Sequence, residues 1–163
     1  MTGFDEPVAR LIKLERAIAA DLSAARGHSE RLRALLAQWP WQPDSPVLSV
    51  AAVAIHHYYG AIESALERIA RTYEGVPKSA AWHRELLEQM ALDLPRVRPA
   101  VLQGQTVAAL GPVLGFRHFF RHAYAVPFDP DRLVQVSRDL IAADALIAVD
   151  LARFQAALLT AAQ

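Results

Sequence analysis

The sequence has no cysteine. Disulfides and thiolate metal sites are thereby excluded, and a reducing, cytoplasmic setting is the expectation. No apolar run reaches the roughly 18 residues a membrane-spanning helix needs. No apolar stretch follows a basic start, so no signal peptide is expected either. Net charge is also missing, with 17 Lys and Arg against 17 Asp and Glu. A dedicated nucleic-acid binder is usually basic, so the total argues against one. The distribution argues the other way. From Leu94 to Phe128 there is no acid, while Arg96, Arg98, Arg117 and Arg121 give that stretch a local charge of +4. Such a field can hold a phosphate backbone on a chain that is neutral overall. An acid-free stretch is equally what a buried core looks like, and charge alone leaves both readings open. Strand signals, internal repeats and low-complexity segments are scarce or lacking.

Helices are what the 163 residues do contain, with 53% hydrophobic and 21% charged. This composition fits one globular domain over 1–163 with a real core. Ala and Leu dominate, and apolar spacings of three and four recur. About five helices are expected, joined by short turns into an all-α, up-and-down bundle. The first spans about Glu6 to Gln38, capped by Asp5, with Gly27 as a candidate break or bend. Trp39 and Trp41, among prolines, read as plugs of a loop onto the core. The second spans about Pro46 to Glu74 behind the cap Ser45. Its stripe of Ala51, Ile55, Tyr58, Ile62, Ala65, Ile69 and Tyr73 is the cleanest in the chain. Glu63, Glu67, Arg68 and Arg71 are assigned to its outer faces as i,i+4 pairs. A short third helix spans about Ser79 to Leu92, with Trp82, Leu86, Leu87 and Met90 inward. The fourth spans about Thr106 to Ala123, and Gly111-Pro112 should kink or split it. The fifth starts at the cap Asp129 with Pro130 in first position.

The densest chemistry lies in Phe116-Arg117-His118-Phe119-Phe120-Arg121-His122-Ala123-Tyr124. Arg117, Arg121 and Tyr124 share a helical face, and His118 and His122 share a neighbouring one. Arginine suits phosphate and the extra charge of a pentavalent transition state. Histidine titrates near neutrality, so it can take a proton from an RNA 2′-OH or give one to a leaving 5′-oxygen. Such a reaction needs no metal and no cofactor. Arg117 and His122 are five positions apart, about 140° around an ideal helix. Either His122 sits where the helix unwinds, or a second subunit supplies part of the site. His56 and His57 are adjacent, so they diverge by about 100° and read as packing rather than metal ligands. His28 and His83 are expected in solvent.

Arg117, four residues, His122, one residue and Tyr124 resemble the R-x4-H-x-Y motif of HEPN ribonuclease domains, in particular HepT-type toxins. Tyr58-Tyr59-Gly60-Ala61-Ile62-Glu63, Val76-Pro77, and Trp82-His83 followed by Leu86-Leu87 resemble the middle of the same proteins, and the likeness spans about residues 45 to 160. The resemblance implies a metal-independent endoribonuclease with Arg117 and His122 as the catalytic pair. It implies a homodimer whose motifs meet in a cleft. It also implies an MntA-like minimal nucleotidyltransferase as antitoxin partner, which silences the toxin by AMPylation of Tyr124. Arg121 and His118 are assigned to RNA binding. The runner-up is a non-catalytic HEPN binding module beside a nucleotidyltransferase.

Overall fold

The computed structural model describes residues 6–122 and 126–162. Five helices follow one another: α1 (Glu6–Leu36), α2 (Pro46–Tyr73), α3 (Trp82–Met90), α4 (Gly104–His122) and α5 (Pro130–Ala161). No strand occurs among the described residues, only an isolated bridge between Leu94 and Arg98. The all-α expectation holds, and the helix ends fall within a few residues of those read from the sequence.

The ends are set by local chemistry. Ser45 accepts from the Val47 amide at 3.3 Å, with Pro46 in the first turn of α2. Asp129 accepts from the Asp131 amide at 3.0 Å and starts α5 the same way. Both satisfy amides that the first turn leaves unbonded. Gly75, at φ 90°, closes α2 by donating to the Ala70 carbonyl, a left-handed turn that favours glycine. Asp5, the expected cap of α1, lies outside the described residues.

Neither a break in α1 nor a split in α4 occurs. α1 runs unbroken through Gly27, and α4 is not split at Gly111-Pro112. Pro112 cannot donate to Ala108, but both residues are exposed, so water can satisfy the orphaned carbonyl. Trp41 is buried and donates its indole N–H to the Leu35 carbonyl at 3.0 Å, as a plug should. Trp39, expected to do the same, is exposed and meets Trp41 edge-on.

α2 is the central post. It touches all four other helices, and α5 in turn packs on α1 and α4. Its stripe is buried from Ala51 to Ile69. Tyr59, Leu66 and Ala70 are buried on a second face as well, which is what a helix enclosed on several sides requires. The stripe of α5, Leu133, Val136, Leu140, Ile147, Leu151, Phe154 and Leu158, is buried throughout. Polar ties fix the register. Asp144 of α5 accepts from Ser29 of α1 at 2.8 Å and from the Tyr58 hydroxyl of α2 at 3.1 Å. Asp150 of α5 accepts from the Gln103 amide at 2.8 Å and the Thr106 hydroxyl at 2.6 Å, anchoring the start of α4. No helix among the described residues is long and apolar enough to cross a membrane.

Candidate active site

The end of α4 meets α2 and α3 through one carboxylate. Glu63 sits on α2 in the column Ala52, His56, Tyr59, Glu63, Leu66 and Ala70, and is buried. Its Oε1 accepts from Arg117 Nη1 at 2.5 Å and its Oε2 from His83 Nδ1 at 2.5 Å. Glu63 is thus not on an outer face and His83 is not in solvent, contrary to the expectation for both. An isolated buried carboxylate is costly, and a guanidinium and an imidazole at its two oxygens offset that cost. Where α2 does show solvent, Arg71 pairs with Glu67 at 2.5 Å as expected, and Arg68 reaches Asp21 of α1 at 2.8 Å.

Arg117 points inward. Its guanidinium lies 5.3 Å from the centre of the Tyr59 ring, a cation–π distance. Nε is buried without a partner. Nη1 is bonded to Glu63, while Nη2 is neither bonded nor buried among the described residues. One edge of the guanidinium is therefore held from behind, and one donor nitrogen has no partner among the described residues.

His83 is fixed on three sides. Glu63 binds Nδ1, the Trp82 ring stacks on the imidazole at 3.8 Å, and the His118 ring meets it edge-on at 5.4 Å. His118 itself is exposed. Partial burial lowers its pKa, and the nearby His83, Arg117 and Arg121 lower it further.

His122 does not join this cluster. It is exposed in the last turn of α4, and its Nδ1 donates to the His118 carbonyl at 2.8 Å. That bond leaves Nε2 as the ring nitrogen without a partner among the described residues. Arg121 is exposed and makes no ion pair among the described residues. Tyr124 lies outside the described residues. Of the expected site, the structure thus brings Arg117 and His118 together with Glu63, Tyr59 and His83, and leaves His122 and Arg121 on the rim. Glu63 is the one acid in its column of α2, among Ala52, His56, Tyr59, Leu66 and Ala70, and that was the available signal for it.

The acid-free stretch is less positive in space than in sequence. Arg98 is buried, paired with Glu74, and bonded to the carbonyls of Leu92, Pro99 and Gln89. It pins the 93–99 loop to the ends of α2 and α3. With Arg117 also paired, Arg96 and Arg121 are the exposed cations of that stretch.

The remaining histidines pack on one another. His56 lies 4.9 Å from the Phe120 ring with Nδ1 buried and unpartnered, and His57 stacks on His28 at 5.6 Å. His28 is half-buried rather than solvated, which corrects the expectation for it. Among the described residues no cluster of acids and histidines is arranged to hold a metal.

A protein-family model described as "HepT-like protein" matches residues 50–158. The match takes in nearly all of α2, the whole of α3 and α4, and α5 as far as Leu158, and it leaves out α1. No curated protein and no solved structure was found to match the chain.

Proposed function

The chain belongs to the HepT-like protein family, and from that premise we propose that it is a metal-independent endoribonuclease toxin of a toxin–antitoxin pair. Arg117 holds the scissile phosphate through its free donor and stabilises charge on the phosphorane. His122 moves the proton on one side of the reaction, taking it from the 2′-OH or giving it to the 5′-oxygen. The 2′-oxygen bonds to phosphorus, the bond to the 5′-oxygen breaks, and the products are a cyclic phosphate and a free 5′-hydroxyl. His118 and Arg121 line the approach of the RNA. The active unit is a homodimer, which lets one protomer's His122 face the other's Arg117 and removes the mismatch of angle within a single helix. A minimal nucleotidyltransferase is the antitoxin partner, and transfer of AMP to Tyr124 places a bulky anion two residues from His122.

The observation that carries this reading is Arg117: a guanidinium braced by Glu63 with one nitrogen left for a ligand. Cleavage of RNA in the presence of EDTA, lost in Arg117→Ala and in His122→Ala, is the expected result. Undiminished cleavage by both variants overturns the site.

A second reading is a non-catalytic module that binds a nucleotidyltransferase. The ion pair that offsets the charge of Arg117, on a chain of zero net charge, favours it. Tight binding to the nucleotidyltransferase without any RNA cleavage selects this alternative.

A further inference from the structure

Resting on the ribonuclease reading above, we propose that His83 of α3 is the general base of the reaction, presented by a Glu63–His83 dyad, which leaves His122 as the general acid.

The dyad follows from which atoms bond. A carboxylate that accepts from a guanidinium at one oxygen also accepts at the other, so His83 Nδ1 must be the donor. The neutral ring then carries its proton on Nδ1 and its lone pair on Nε2. A carboxylate behind an imidazole fixes tautomer and orientation and steadies the imidazolium formed when Nε2 takes a proton. His83 Nε2 has no partner and is not sealed off from solvent among the described residues. Stacking on Trp82 and the edge contact from His118 hold the ring plane.

Position supports the role. His83 and Arg117 bond to opposite oxygens of one carboxylate, so the base and the phosphate-binding group are one carboxylate apart. His122 has no such link to Arg117. In the step, His83 Nε2 takes the 2′-OH proton as the 2′-oxygen bonds to phosphorus. The bond from phosphorus to the 5′-oxygen breaks, and that oxygen takes a proton from the His122 imidazolium. The two histidines exchange protonation states, and solvent restores them.

Steady-state cleavage by His83→Asn tests the assignment. The asparagine amide can still donate to Glu63 but has no basic nitrogen. The charged and titratable groups around the ring are Glu63 of α2 and Arg117 and His118 of α4, and all remain in this variant. The expected result is a fall in kcat of about a hundredfold or more with little change in KM. In this variant the acid limb of the kcat/KM profile should disappear and the alkaline limb should remain. Nitrogen NMR of the wild-type chain should find His83 protonated on Nδ1 and bare on Nε2. Wild-type kcat and both pH limbs in His83→Asn, with Arg117→Ala inactive, overturn the role of His83 alone. So does the opposite tautomer. A wild-type chain that cuts no RNA overturns this role and the ribonuclease reading together.

Discussion

Arg117 and His83, on different helices and 34 positions apart in the chain, are bonded to the two oxygens of the same buried carboxylate. The candidate site is therefore also a structural joint of α2, α3 and α4. Substitutions there should affect stability and activity by different routes, and the two can be separated.

Glu63→Ala leaves Arg117 with a buried Nε, no ion pair and a partly buried charge. Removing one partner of such a pair costs about 3 kcal/mol. Arg117→Ala should cost less, because Glu63 keeps His83. The double substitution should cost clearly less than the sum, and urea unfolding of the four proteins closes the cycle. Additive losses would show that the two residues act independently.

Acid should weaken the fold in a defined window. The pKa values of His28, His56 and His118 are all lowered from the ordinary 6.5, in each case first by burial and then by neighbouring positive groups. The unfolded chain then binds protons more readily than the folded one, so the stabilisation is complete above pH 6.5 and is lost as pH falls through the lowered values. The urea midpoint should drop between pH 7.5 and about 5. His56→Asn should flatten that slope, and a slope unchanged in this variant would remove His56 from the account.

Arg98 and Arg121 should separate cleanly although both lie in the acid-free stretch. Arg98 is buried and held by Glu74 and three carbonyls, so Arg98→Ala should cost about 3–5 kcal/mol in unfolding measurements. Arg121 is exposed, so Arg121→Ala should leave the unfolding curve in place. Its effect should appear in RNA affinity and reduce the salt dependence of binding by about one phosphate contact. Equal salt slopes for wild type and Arg121→Ala would exclude it from the RNA interface.

Tyr124 is tested by intact mass after co-expression with a minimal nucleotidyltransferase of the kind proposed as partner. A gain of one or more AMP units that vanishes in Tyr124→Phe is the expected outcome. A gain that persists in Tyr124→Phe would place the modification elsewhere.

The helices were legible in the sequence because each rests on local rules. Ser45 and Asp129 cap the next amides, Pro46 and Pro130 start the turns, and stripes such as Leu133 to Leu158 repeat at helical spacing. The family was legible for the same reason: the spacing of Arg117 and His122, with Tyr58-Tyr59 and Trp82-His83 ahead of it, is a linear pattern. Only the tertiary structure decided where Arg117 and Glu63 point. Helical period fixes the angle of a side chain around its own axis, but not which partner lies there. α2 is buried on more than one face, so a carboxylate that one stripe would assign to solvent meets Arg117 and His83 instead. His83 stands at helical spacing with the inward Leu86, Leu87 and Met90, so its face was legible, but the carboxylate opposite it was not. The packing of three helices on one carboxylate brings these residues together, and no spacing along the chain encodes it.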